Sequence, residues 1–76
     1  MIDDLKSRLE AAFADAEVAV AGEGNRFEVD VVSATFDGLS RVRRQQAVYA
    51  AIGDLIASGA VHAVTIRAKT PDETRD

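Results

Sequence analysis

The fold of this chain is decided by Phe36–Tyr49, FDGLSRVRRQQAVY, and by Val61–Ala63, VHA, which follows closely. The first segment begins as a turn and continues as a helix, because Ser40 can cap a free backbone N–H with its hydroxyl. The second segment opens a strand and contains His62, the only histidine of the chain. These segments predict a helix and a strand in succession.

The predicted helix runs to Gly59, a residue type that commonly ends helices at the C-terminal side. Its apolar residues recur at spacings of three and four, which predicts one buried stripe. Gln45 is polar within that stripe, so we expect it to find a hydrogen-bond partner and to hold the Phe36–Gly38 loop. The predicted stripe consists of Val42, Gln45, Tyr49, Ile52 and Ile56, with Val48 and Leu55 on its shoulder.

The segment Val61–Ala68 alternates with a period of two, which predicts a strand. In a regular strand, His62 would share one face with Val64, Ile66 and Ala68. The residues that follow, Thr70-Pro71-Asp72-Glu73, have the pattern of a helix-capping box. A short final turn is therefore expected.

The N-terminal half predicts a helix and a hairpin. Apolar residues at helical spacing favour a helix over residues 2–14, and alternation favours strands at 16–22 and 26–33. Between the strands, Gly22 and Gly24 are expected to supply the positive φ angles of the hairpin turn.

The predicted order is α-β-β-α-β, an α+β arrangement within the broader α/β class, forming one domain over residues 1–76. A right-handed crossover makes the second and third strands parallel, so the three-stranded sheet is mixed. Both helices are expected on one face, with Glu28, Asp30 and Arg67 on the solvated face. The predicted core comprises Phe27, Val29, Val31, Val42, Tyr49, Ile52, Ile56, Val64 and Ile66.

Composition excludes several kinds of site. The 76 residues contain no cysteine, so any cluster that needs thiolates must take them from a partner. The net charge of −4 argues against general nucleic-acid binding, which depends on neutralised phosphates. There is neither a long apolar run nor a signal-peptide pattern, so we expect a cytoplasmic protein with no membrane partner.

The motifs resemble those of a known family. The pattern Phe36-x-Gly38-x-x-x-Val42-x-Arg44-Gln45-x-x-Val48-Tyr49 is similar to that of BolA-like proteins. Val61-His62-Ala63, five further residues and then Lys69-Thr70-Pro71 extend the similarity over nearly the whole chain. The Gln45-Gln46 pair after two basic residues most resembles the bacterial IbaG branch.

This resemblance implies a fold similar to class II KH domains and a non-enzymatic role. Family members associate with monothiol glutaredoxins, and the two proteins together hold a 2Fe-2S cluster with glutathione. A histidine at the position of His62 is the family's C-terminal cluster ligand. The resemblance therefore implies that His62 is a metal ligand in a complex used for iron–sulfur maturation, trafficking or iron sensing.

Two departures from the family pattern bear on this expectation. Many members carry a histidine or cysteine in the hairpin loop, whereas the loop here is Gly22-Glu23-Gly24-Asn25-Arg26. The family also usually has a tryptophan where this chain has Thr74. The second cluster ligand therefore cannot be named from this sequence.

Arg41, Arg43 and Arg44 have two functional interpretations. Cations at a helix N-terminus oppose the helix dipole, so their presence there suggests a use. They could contact an acidic glutaredoxin surface or the carboxylates of glutathione. Alternatively, they could bind nucleic acid as in a KH-like transcription regulator, although the chain lacks the Gly-x-x-Gly loop of KH domains. Alone, the chain is expected to be a monomer, or a weak homodimer through an exposed edge of its first or third strand.

Overall fold

A computed structural model describes residues 1–74 and confirms the predicted α-β-β-α-β order. The predicted bounds of the domain also include residues 75 and 76, which lie outside the described residues. Two short 3-10 turns are also present, one before the second helix and one after the last strand. The elements are α1 (Ile2–Ala12), β1 (Glu17–Glu23), β2 (Arg26–Val32), a 3-10 turn (Ala34–Phe36), α2 (Arg41–Ala57), β3 (Ala63–Lys69) and a 3-10 turn (Asp72–Thr74).

The three strands form one mixed sheet in the order β1-β2-β3. β1 and β2 pair antiparallel as a hairpin, whereas β2 and β3 pair parallel, as the crossover through α2 requires. Both helices pack on one face of the sheet, which is its inner face. The opposite face carries charged pairs. There, Arg67 donates to Asp30 over 2.6 Å and lies 3.6 Å from Glu28.

The two hairpin glycines have different functions. Gly24 lies in the two-residue turn with φ +62°, a conformation that glycine adopts without steric cost. The prediction of a positive φ at Gly22 was wrong, because Gly22 belongs to β1 and pairs with Phe27. A Cβ atom at Gly22 would overlap the Phe27 ring, so this position needs glycine for space.

The core lies between the inner face of the sheet and the two helices. α1 contributes Leu5 and Leu9, and the 3-10 turn after β2 contributes Phe36. The rings of Phe36 and Phe13 meet with their centroids 5.0 Å apart and tilted by 49°. The buried apolar set is Leu5, Leu9, Phe13, Phe27, Val29, Val31, Phe36, Val48, Ile52, Val61 and Ile66.

The predicted apolar stripe of α2 was wrong in its rotation. Val42 and Tyr49, both predicted to be core residues, are 64% and 43% exposed, and Val48 is buried instead. Gln45 and Ile52 are three or four residues from both Val48 and Tyr49. The helical spacing alone therefore does not determine whether Val48 or Tyr49 faces the core. The side chains of Arg44 and Gln45 bind β3, which fixes the rotation that turns Val48 inward. Ile56 and Val64, also predicted as core, are partly buried at its margin.

Candidate functional site

His62 is exposed at the junction between α2 and β3. α2 ends at Ala57, and Gly59 turns the chain with φ +82°. Val61 then enters the core at 2% exposure, with its N–H donating to the Leu55 carbonyl over 3.2 Å. Because Val61 is anchored inward, the next residue is directed to solvent.

The prediction that β3 begins at Val61, with His62 on the face of Val64 and Ile66, was wrong. β3 begins at Ala63, while Val61 is buried and His62 is exposed. The N–H groups of His62 and Ala63 both donate to the Asn25 carbonyl, over 2.9 and 3.3 Å. Successive N–H groups of a pleated strand point in opposite directions, so this shared acceptor shows that the pleat has not yet begun at His62.

The hairpin turn thus lies directly beside the start of β3. This is the loop in which the sequence lacks a histidine or cysteine, and it contributes only a main-chain carbonyl near His62. Among residues 1–74, no group of three or more His, Cys, Asp or Glu side chains could hold a metal ion. The described part of the chain therefore presents a single imidazole donor.

The three predicted arginines differ in exposure and in their partners within the fold, although Arg41 and Arg44 line the same depression. Arg44 is half-buried, and its guanidinium donates to the carbonyls of Leu39 and Ala68 over 3.0 and 3.3 Å. It also donates to Glu73 Oε1 over 2.6 Å. Arg41 and Arg43 are exposed, and neither makes an ion pair within residues 1–74. Of the three guanidinium groups, these two are available to meet a partner.

The N-terminal end of α2 is otherwise built as predicted. The Ser40 hydroxyl accepts from the Arg43 N–H over 3.2 Å, which confirms the cap. Gln45 has a partner, but the prediction that it holds the Phe36–Gly38 loop was wrong. Its Nε2 donates to the Ile66 carbonyl of β3 over 2.8 Å.

His62 and the arginines lie at opposite ends of the sheet. Arg44 bonds to Ala68 near the end of β3, whereas His62 precedes its first residue. β3 has 7 residues, and at a rise of about 3.3 Å per residue its ends are about 20 Å apart. The sequence predicted functional roles for His62 and for the arginines alike. The structure places His62 at the start of β3 and Arg44 near its end.

The predicted capping box is confirmed. Glu73 Oε1 accepts from the Thr70 N–H over 2.8 Å, and Thr70 Oγ1 accepts from the Glu73 N–H over 3.4 Å. The hydrogen bond from Arg44, followed by that from the Thr70 backbone, lowers the pKa of Glu73 from 4.5 to about 2. One carboxylate thereby joins the final turn to α2, a connection that spacing along the chain does not reveal.

We expect the Arg44–Glu73 contact to be lost in acid. The pKa of Glu73 is lower in the folded state than in the unfolded chain, so its contribution is present above about pH 4.5 and lost as pH falls toward 2. Melting temperatures measured from pH 7 to pH 2 should therefore decline more steeply for the wild type than for Glu73→Gln. Glu10→Gln, at an exposed helix position, is the control. Parallel curves for wild type and Glu73→Gln would contradict this prediction.

Comparison with known proteins identifies the family. The BolA-like protein family model matches residues 6–73. The chain belongs to the BolA-like family. A relative described as an uncharacterized protein in the rpoN-murA intergenic region of Acinetobacter guillouiae is 53% identical over 73 residues, covering 96% of this chain and 88% of the relative.

A second relative confirms the predicted resemblance to the IbaG branch. The acid stress protein IbaG of Escherichia coli strain K12 is 44% identical over 71 residues, covering 93% of this chain and 84% of IbaG. Among solved structures, a BolA protein homologue from Coxiella burnetii superposes with a TM-score of 0.86 at 31% identity. It covers 100% of this chain and 97% of the homologue, which confirms the α+β fold.

Within residues 1–74, neither helix is long and apolar enough to cross a membrane.

Proposed function

We propose that this BolA-like chain is a non-enzymatic, cytoplasmic partner of a monothiol glutaredoxin and shares a glutathione-ligated 2Fe-2S cluster with it. The observation that carries the proposal is one exposed imidazole, that of His62, on a chain with no cysteine. A single donor does not fit a cluster held by this chain alone. It does fit a cluster whose thiolates come from other molecules.

The donor set defines what His62 would contribute. A neutral imidazole binds iron, and imidazole in place of thiolate raises the reduction potential of an iron–sulfur cluster. The protein's own contribution is to position that imidazole. Val61 is anchored in the core on one side, and Ala63 is bonded to Asn25 on the other, so the backbone at His62 is held at both ends.

The surface beside the start of β3 can accommodate a partner. A depression of about 600 Å³ at the hairpin end of the sheet is lined by residues of all three strands, and its lining includes Ala63, which follows His62 in the chain. Its lining carries both signs of charge, from Glu23, Arg26 and Glu28, and includes the small side chains of Ala21 and Ala63. A docked glutaredoxin would meet here a concave surface that combines charged and small side chains.

The distance along β3 limits what the arginines can do in such a complex. A tripeptide the size of glutathione spans about 10 Å when extended, which is about half the length of β3. Of the two predicted roles of the arginines, this proposal therefore takes contact with the glutaredoxin surface rather than with the glutathione carboxylates. In this proposal, Arg41 and Arg43 contact the glutaredoxin itself, and Arg44 acts only by supporting the fold.

The proposal is tested by titrating the protein into a monothiol glutaredoxin reconstituted with glutathione and a 2Fe-2S cluster. We expect the visible absorption and circular dichroism of the cluster to change, and His62→Ala to abolish that change. Glu10→Ala, an exposed residue of α1 to which the proposal assigns no contact, is the control and should retain the spectral change. Calorimetry with apo-glutaredoxin reports docking without the cluster. An unchanged spectral response from His62→Ala would disprove ligation.

The alternative, KH-like nucleic-acid binding, is supported by one observation: Arg41 and Arg43 are exposed and without ion pairs among the described residues. Its test is a gel shift at low salt with the Arg41→Ala/Arg43→Ala variant. Arg44 is unsuitable for this test, because its substitution removes internal hydrogen bonds. The absence of any shift by the wild type would eliminate this alternative.

A further inference from the structure

The two free edges of the sheet differ in how they are covered. On β3, the carbonyls of Ile66 and Ala68 accept hydrogen bonds from the side chains of Gln45 and Arg44. β1 has no such covering, since within residues 1–74 it pairs only with β2. It contains no proline, lysine or arginine, which are common devices that keep edge strands from pairing.

The hairpin register shows which groups of β1 face outward. Glu23 and Arg26 flank the two-residue turn and form its closing hydrogen-bonded pair. Bonded and non-bonded pairs alternate along an antiparallel ladder, so Val18, Val20 and Gly22 direct their N–H and C=O groups away from β2. An added strand would hydrogen-bond to these three residues.

The charges on β1 determine which strand fits. Glu17 and Glu23 lie at its two ends, exposed, on the solvated face of the sheet. In an antiparallel pairing of two copies centred on Val20, Glu17 of each copy would face Glu23 of the other. Two directly opposed carboxylate pairs are destabilising, so a second identical copy is a poor occupant.

We propose that the outer edge of β1 is a docking site for an extended segment of a partner protein. That segment carries basic side chains opposite Glu17 and Glu23, six residues apart, and small or apolar residues between them. Main-chain hydrogen bonds to Val18, Val20 and Gly22 supply the binding, and the two carboxylates supply the selectivity. This site uses the outer edge of β1 and not the imidazole of His62, so it does not depend on cluster binding, although it shares Glu23 with the depression at the hairpin end of the sheet.

The chain itself provides the probe. The variant Glu17→Lys/Glu23→Lys presents a preformed strand with lysines at the required spacing. We expect neither it nor the wild type to dimerise alone, because each homodimer would oppose like charges. An equimolar mixture is expected to form a heterodimer in sedimentation velocity, with affinity roughly tenfold or more above that of either homodimer. The control is Asp3→Lys/Asp37→Lys, which makes the same charge change outside β1.

Two further measurements locate the contact. In the heterodimer, amide exchange should slow at Val18, Val20 and Gly22 of β1. The single variant Glu17→Lys should dimerise by itself, because the introduced lysine of one copy then faces Glu23 of the other. A mixture that stays monomeric, a wild type that dimerises unaided, or a control variant that binds equally well would each overturn the proposal.

Discussion

Replacing Phe36 by alanine is expected to shift the denaturation midpoint strongly toward lower denaturant concentration. Phe36 is completely buried and its ring contacts Phe13, which follows α1. Truncating a buried phenylalanine typically costs about 3–5 kcal/mol. For 76 residues, the whole free energy of unfolding is expected to be about 4–11 kcal/mol. One side chain in a short 3-10 turn therefore accounts for a large share of the stability.

The measurement is chemical denaturation followed by circular dichroism. Tyr49→Ala is the matched control, because it also removes an aromatic ring, but from a position that is 43% exposed. We expect the midpoint of Tyr49→Ala to stay near that of the wild type. Equal losses in the two variants would contradict the placement of Phe36 in the core and of Tyr49 at the surface.

The second large effect is expected at Arg44. Its guanidinium joins α2 to the Leu39 carbonyl, to the edge of β3 and to the final turn. Hydrogen bonds to a charged group contribute about 1.5–3 kcal/mol, so Arg44→Ala should lower the free energy of unfolding by about 2 kcal/mol. The same experiment with Arg43→Ala should show almost no change, because Arg43 is exposed and forms no ion pair within residues 1–74.

Binding assays on the same pair separate structural from recognition roles. If Arg43→Ala weakens association with a glutaredoxin while stability is unchanged, Arg43 is a contact residue. If Arg44→Ala were to reduce binding without lowering the denaturation midpoint, the assignment of Arg44 to fold support would be wrong.

Most of the fold follows from periodicity and turn chemistry. Apolar spacing located both helices and all three strands, and the Ser40 cap and the Thr70–Glu73 capping box were identified from residue type alone. These features are local, so a short window of sequence contains the information. The family resemblance added the expected role of His62, which composition does not suggest.

The remaining features depend on contacts between distant segments. The rotation of α2 is set by hydrogen bonds from Arg44 and Gln45 to β3, more than twenty positions along the chain. The two-residue alternation predicted the wrong faces for Val61 and His62. The strand is not yet regular there, because the N–H groups of both His62 and Ala63 bond to the Asn25 carbonyl in the hairpin. Three arginines at the N-terminus of α2 oppose the helix dipole, which predicted a functional role for them. Their spacing does not show whether an arginine bonds within this chain, as Arg44 does, or contacts another molecule.

The bonds from His62 and Ala63 to the Asn25 carbonyl have a further consequence for iron chemistry. The turn at Gly24 and Asn25 contains no histidine or cysteine, yet its length determines where the backbone of His62 lies. Lengthening the turn by a single residue is therefore expected to displace His62 even though the histidine itself is still present. The reach of this chain toward a neighbouring thiolate is therefore governed by loop geometry as much as by the identity of residue 62.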